Sequence, residues 1–256
     1  MRKSWFAIAA LSVLMARSAF AAVGCTLSNP AEDLKYLFPE MTSYKEDAKD
    51  LTKMKDGERL YKDLQVRLGS DLDPLYEALD TPYTLYTIFK KDEIIGIVHG
   101  VNVPGKGGVI QVFLSTDPKT GEIRNFFFQR IESPAAKALK NKEFRAQFTG
   151  LTLADFYKHD YYAVAEPGSD KDTVAKVKDP TTDEAGKPDY QATLRGIRKN
   201  LILLDIFVYE LRNEPFYAKA QEALAKFKAE KKAPAGKEET PPPAAPKPDE
   251  KKEDKP

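Results

Sequence analysis

Four short segments rich in β-branched and aromatic residues follow one another in the middle of the chain, and only short turns separate them. The segments span 83–89, 93–103, 109–115 and 122–131. Strands joined by so few residues pair in antiparallel fashion, because a parallel pair needs a crossover of a dozen or more residues. The sequence therefore predicts an antiparallel β-meander.

The region before these strands, residues 26–80, has helical patterning. Asn29 followed by Pro30 is typical of a helix start, because proline fits the first helical turn. Farther along, a leucine at every fourth position over 60–68 predicts a second helix, which Gly69 is placed to end. We therefore expect residues 26–80 to form a helical N-terminal part.

Two further helices are expected after the strands. Ser133 and Pro134 are a favourable N-cap and first-turn pair for a helix that runs to Phe148. Apolar residues at helical spacing over 194–208 predict the last strong helix. Helices before and after an antiparallel sheet give an α+β fold, in which the meander packs with flanking helices, and residues 81–231 form this domain.

Residues 1–24 have the pattern of a cleaved export signal. Arg2 and Lys3 precede an apolar stretch that is shorter than the roughly 20 residues needed to span a bilayer. The small residues of Ala19-Phe20-Ala21 then form an A-x-A cleavage site. We therefore expect the mature protein to be periplasmic or otherwise extracytoplasmic.

Cys25 leaves a second processing route open. The sequence Ala22-Val23-Gly24-Cys25 resembles a bacterial lipobox, in which the cysteine is lipidated and becomes the mature N-terminus. By this route the protein would contact the membrane through a lipid on Cys25. Plain cleavage after Ala21 is the alternative.

The other end of the chain has the composition of a disordered tail. Residues 232–256 are dominated by proline, lysine and acidic residues and contain no large apolar side chain. Such a segment buries too little surface to offset the entropy of ordering it. We expect it to be solvated.

Charge and residue usage exclude several functional classes. The chain has 40 Lys and Arg against 39 Asp and Glu, without the basic excess of a nucleic-acid-binding module. A single cysteine cannot form a disulfide within the chain, and with two histidines it disfavours a structural zinc site. No G-x-S-x-G, P-loop or H-E-x-x-H motif is present. We expect no nucleic-acid partner and assign no catalytic or metal-binding residue.

Three motifs follow the fourth predicted strand in a fixed order. They are Glu132-Ser133-Pro134 in the place of E-T-P, the stretch Phe144 to Gly150 as F-x-x-Q-F-x-G, and Tyr190-Gln191-Ala192-Thr193 in the place of S/T-G-A-T. With this order and spacing, residues 83–210 resemble the FMN-binding domain family. That family includes the exported flavin-carrying subunits of sodium-pumping quinone reductases and of Rnf-type electron-transport complexes.

The resemblance implies an exported FMN-binding protein that transfers electrons to a redox or envelope protein partner. In the family the last threonine of S/T-G-A-T carries FMN through a phosphoester bond, and Thr193 holds that position. Ala135 stands where the family has glycine, and Tyr190 and Gln191 replace the S/T-Gly pair. Noncovalent binding of FMN is therefore open as well. A second possible function is a non-enzymatic binding or assembly module of the envelope, which keeps the fold but binds no flavin.

The predicted FMN site consists of Glu132, Ser133, Thr193 and Arg195. A helix start offers free backbone N–H groups and the positive end of the helix dipole, which suit a phosphate. Thr193 lies in the first turn if Asp189 is the N-cap, and Arg195, Arg198 and Lys199 follow as cations that neutralise phosphate. A structural role is the alternative for these residues: a helix cap for the serine and a solvated helix face for the cations.

Both processing routes predict that residues 1–21 are absent from the native protein. Intact-mass measurement of protein from its native host should give a chain that begins at Ala22, or a lipidated chain that begins at Cys25. Unprocessed protein that retains Met1 would contradict the expectation of export.

Overall fold

The computed structural model describes residues 25–73 and 76–232 of the 256-residue chain. The predicted signal, residues 1–24, lies outside this part, as does the predicted tail, residues 232–256, except for Lys232, which is the last residue of α7. The helices and strands are α1 Pro30–Leu37, β1 Ser43–Asp50, α2 Gly57–Leu68, β2 Pro82–Lys90, β3 Glu93–Gly105, β4 Gly108–Thr116, β5 Ile123–Arg130, α3 Ala136–Leu139, α4 Lys142–Ala146, α5 Leu153–Ala165, α6 Lys187–Phe207 and α7 Glu214–Lys232.

The five strands form one antiparallel sheet in sequential order, with β1 and β5 at its edges. The predicted α+β fold with a β-meander is therefore confirmed. The four predicted strands correspond to β2 to β5 within two residues at each end. The β3–β4 hairpin has the longest regular register, from Ile97 opposite Thr116 to Gly105 opposite Gly108.

The region 26–80 is not entirely helical, because it also contains the edge strand β1. The predicted helices are present as α1 and α2, with Pro30 in the first turn of α1 and Gly69 as the C-cap of α2. Strand β1 has the sequence SYKEDAKD, in which apolar and polar residues do not alternate. The strand is largely exposed, so no apolar face is needed. Its conformation follows from pairing with β2 over Ser43 to Asp50. Charged residues at a sheet edge also disfavour pairing with another chain.

Both faces of the sheet are covered by apolar groups. The larger core joins one face to α2, α5 and α6 and includes Val112, Phe126 and Leu204. The smaller core lies on the other face, where Phe38 packs with Tyr86, Val98, Phe113 and other residues. Two-sided burial explains why the central strands read as nearly continuous apolar runs.

The helix predicted from Ser133 to Phe148 is two short helices, α3 and α4. The Ser133 hydroxyl accepts a hydrogen bond from Ala135 N at 3.0 Å, which closes a local turn before α3. The side chain of Asn141 then accepts from Glu143 N at 2.7 Å and caps a second helix start. A new cap within the segment therefore divides the predicted helix.

Helices α5 and α7, whose bounds the sequence patterns do not predict, complete the domain. A capping box between Thr152 and Asp155 starts α5, and α7 packs against α5. Among the described residues, no helix is long and apolar enough to cross a membrane.

Removal of the Phe38 ring should strongly destabilise the fold. This ring is 2% exposed and lies against the backbone of Gly96, where an added Cβ would be 2.1 Å from a ring carbon. Phe38→Ala should lower the free energy of unfolding by about 3–5 kcal/mol, because it leaves a cavity in the smaller core. Val66→Ala, at a position 65% exposed, should change it by less than about 0.5 kcal/mol. Urea unfolding measures both; equal losses would contradict this packing.

Candidate functional site

Helix α6 carries the last motif and begins earlier than the sequence suggests. Its first residue is Lys187 and its N-cap is Gly186, so Asp189 lies inside the first turn and is not the N-cap. Thr193 is consequently the seventh residue of the helix, at the end of the second turn, rather than in the first. Its hydroxyl is therefore not among the groups at the helix start.

The Thr193 side chain is fully buried. Its hydroxyl donates a hydrogen bond of 2.8 Å to the carbonyl oxygen of Asp189, one turn earlier. Threonine hydroxyls commonly bond in this way to the preceding turn of a helix. A phosphoester at this oxygen would need both the hydrogen bond and the packing around it to open.

The start of α6 already holds a carboxylate. Asp189 is fully buried, and its Oδ1 accepts a hydrogen bond of 2.6 Å from Lys106 N. A negative group in the first turn interacts favourably with the positive end of the helix dipole. Within the described residues Oδ2 of Asp189 has no hydrogen-bond partner. The chain itself therefore supplies the anion at this helix start.

The turn between β3 and β4 contacts both halves of the predicted site. On one side, a Cβ added at Gly107 would be 1.8 Å from the carbonyl oxygen of Glu132. On the other, a Cβ added at Gly105 would be 2.9 Å from Asp189 Oδ1. Only glycine allows the hairpin to contact both neighbours so closely.

Glu132 and Ser133 serve local interactions. The Glu132 carboxylate accepts from Arg130 Nε at 3.0 Å and from Nη2 at 2.7 Å, and both side chains are more than half exposed. The Ser133 hydroxyl accepts from Ala135 N at the turn before α3. The turn that contains them lies close to the start of α6, since a Cβ added at the N-cap Gly186 would be 2.9 Å from the Cβ of Ala135.

Arg195, the fourth predicted residue, lines a cleft of about 410 Å³. This α6 cleft is formed by the end of α2 together with α5, α6 and α7, and its lining includes Ser70, His159, Asp160, Gln191, Arg195 and Arg198. Arg195 is exposed and donates a hydrogen bond of 3.3 Å to the carbonyl oxygen of Pro104. Within the described part of the chain it has no carboxylate partner.

The other cations of the α6 cleft are neutralised by acids. Arg198 pairs with Asp71 at 3.2 Å and with Asp160 at 2.9 Å. Burial raises the pKa of the Asp160 carboxyl, and the Arg198 guanidinium opposes that increase. Arg67 pairs with Glu214. Among the described residues, Arg195 is therefore the one arginine of the cleft without an acidic partner.

Lys199, the third cation of the predicted phosphate cluster, faces the protein interior. Its Nζ lies 2.6 Å from Glu77 Oε1, and both side chains are at most 3% exposed. It also donates to the carbonyl oxygen of Asn102 at 3.1 Å. Burial raises the pKa of the Glu77 carboxyl, while the Lys199 ammonium opposes that increase. This cation is committed to an internal ion pair.

The buried polar cluster around Lys199 also includes His99 and Cys25. His99 Nδ1 bonds Asn200 Oδ1 at 2.8 Å, and burial lowers the pKa of the histidine to about 4, so it is neutral at pH 7. Cys25 Sγ donates to Asn102 Oδ1 at 2.9 Å, and burial raises the pKa of its thiol to about 12. The thiol is therefore protonated and enclosed, the opposite of a reactive cysteine.

Comparison with known protein families finds no matching family model, and comparison with curated proteins finds no match. The resemblance to the FMN-binding domain family stays a prediction made from the motifs.

The ion pair between Lys199 and Glu77 should be costly to break from one side. Glu77→Gln leaves the lysine charge buried without its counter-charge, which typically costs about 3–5 kcal/mol. The same change at Glu222, whose carboxylate lies 2.8 Å from Lys226 on the exposed face of α7, should lower the free energy of unfolding far less, because water screens an exposed ion pair. Urea unfolding of both variants measures the difference. A similar decrease in the free energy of unfolding for both variants would show that burial does not determine how much the Lys199–Glu77 pair contributes to stability.

Proposed function

We propose that this chain is an exported, flavin-free binding or assembly module of the cell envelope. In this proposal it retains a fold of the FMN-binding type and acts on an envelope protein partner without catalysis or electron transfer. The export pattern of residues 1–24 supports the location outside the cytoplasmic membrane.

The observation that carries the proposal is the closed space at the start of α6. The glycine hairpin lies against the Glu132 backbone on one side and Asp189 on the other. A bound FMN phosphate would have to displace the hairpin and lie beside a buried carboxylate, and like charges repel strongly where water is excluded. The buried, hydrogen-bonded hydroxyl of Thr193 is a second argument against a flavin ester.

The burial of Cys25 favours plain signal cleavage over lipidation. Its Sγ is packed in the smaller core and bonded to Asn102, and the residue is 5% exposed. A lipid attached to this sulfur would have to pass through that packing. We therefore propose that the mature protein is not anchored through Cys25.

The α6 cleft is a surface that suits a ligand or a partner side chain. Its volume of about 410 Å³ falls within the usual range of binding sites, and its lining includes the exposed Arg195, which has no carboxylate partner among the described residues. An acidic side chain of a partner protein matches this donor, because guanidinium and carboxylate groups form paired hydrogen bonds.

Titration of free FMN with the protein tests the proposal. Fluorescence of FMN should show no saturable quenching with wild type, Thr193→Ala or Arg195→Glu, because none of them contains an open flavin site. Lys228→Glu, at an exposed position of α7, is the matched control for the charge reversal.

Saturable quenching by the wild type would contradict the flavin-free proposal. Quenching that Arg195→Glu weakens and Lys228→Glu does not would support the electron-transfer alternative, with FMN bound noncovalently in the α6 cleft.

A further inference from the structure

Arg145 differs from the other buried cations of the described structure in having no acidic partner. The buried lysine and arginine residues of the described structure are Arg67, Arg145 and Lys199. Arg67 pairs with Glu214 and Lys199 with Glu77. No carboxylate within residues 25–73 and 76–232 lies at ion-pair distance from Arg145, although this residue is only 8% exposed.

The Arg145 guanidinium is held by neutral groups. Nη1 donates to the carbonyl oxygen of Phe126 at 2.8 Å and to Asn125 Oδ1 at 3.2 Å. Nη2 donates to the hydroxyl of Tyr36 at 2.7 Å, and the guanidinium lies 5.7 Å from the centre of the Tyr36 ring. Nε has no hydrogen-bond partner in the described structure. These contacts orient the cation without supplying the negative charge that its burial calls for.

Arg145 also lines an open cavity of about 400 Å³ between α1, β5 and α4. This Arg145 pocket is lined by Tyr36, Arg124, Asn125, Lys142, Arg145, Ala146 and Thr149. Three of these residues are cations and none is an acid. Lys142 is exposed and forms no ion pair within the described residues, whereas Arg124 pairs with Asp117 at 3.4 Å. The pocket lining thus has a clear positive excess, whereas in the α6 cleft only the Arg195 guanidinium lacks an acidic partner among the described residues.

We propose that the Arg145 pocket binds the phosphate group of a small ligand. A phosphate dianion matches the two cations without an acidic partner, Arg145 and Lys142, better than a singly charged carboxylate does, because each charge–charge contact adds to the attraction. Asn125 and Tyr36 hold the guanidinium in place before the ligand arrives, so little orientation entropy is lost on binding. The site is separate from the α6 cleft, and this proposal does not rest on the flavin-free function.

Isothermal titration of the mature protein with inorganic phosphate, at fixed ionic strength set with chloride, tests the proposal. Wild type should bind phosphate saturably and should also be stabilised by it in thermal unfolding. Lys142→Glu should weaken binding about tenfold or more, since it replaces an attractive charge at the pocket with a repulsive one. Lys140→Glu, a charge reversal two residues away and outside the pocket lining, should bind within about twofold of wild type.

Two further probes and one variant separate the remaining possibilities. Glycerol phosphate that binds as well as or better than inorganic phosphate would indicate a phosphate ester, and weaker binding would indicate free phosphate; both outcomes support the pocket. Binding of acetate without binding of phosphate would overturn the choice of ligand. Binding that Arg195→Glu weakens and Lys142→Glu does not would place the anion in the α6 cleft and overturn the proposal. Absence of any phosphate binding by wild type would also overturn it.

Discussion

The close contact of α6 with the central strands determines where the candidate functional groups lie. Gly196 lets the helix approach the sheet, because a Cβ at this position would be only 3.2 Å from a Val112 methyl group. Asn200 then fixes the helix by donating to the carbonyl oxygen of Val112 at 3.0 Å and accepting from His99. Lys199, the neighbour of Asn200 in the helix, forms its buried ion pair with Glu77. A helix anchored along its length in this way cannot rotate without breaking buried polar bonds.

The orientation of α6 about its own axis separates Thr193 and Arg195, which the motif-based prediction places in one site. Thr193 and Arg195 are two positions apart, which on a helix puts them on different faces. The contact with the sheet buries Thr193 and leaves Arg195 in the open cleft. The start of the same helix is covered by the glycine hairpin and occupied by Asp189. One packing arrangement therefore accounts for the buried hydroxyl and for the exposed arginine, and it underlies the flavin-free proposal.

The sequence predicted the elements whose own residues determine them. Strands β2 to β5 have apolar patterning and strong turns, and α2 has a regular leucine spacing with a terminal glycine. Strand β1 was missed because an exposed, charged edge strand takes its conformation from its neighbour. At the site, Arg195 is accessible as its charge suggests, but the burial of Thr193 depends on helix packing that spacing alone does not reveal. The lack of an acidic partner for Arg145 likewise depends on the fold, which places no described carboxylate within ion-pair distance of its guanidinium. The glycines at 105 and 107 allow the close approach of Asp189 and Glu132, but the sequence does not reveal which residues approach them.

The visible absorption spectrum of the protein purified from its native host, before and after denaturation, tests the central claim most directly. A chain whose helix start is closed by its own hairpin and carboxylate should be colourless, with no flavin absorption in either state. A yellow protein that loses its colour on denaturation would show that flavin binds noncovalently, and colour retained by the denatured chain would show a covalent flavin. Either result would contradict the flavin-free proposal.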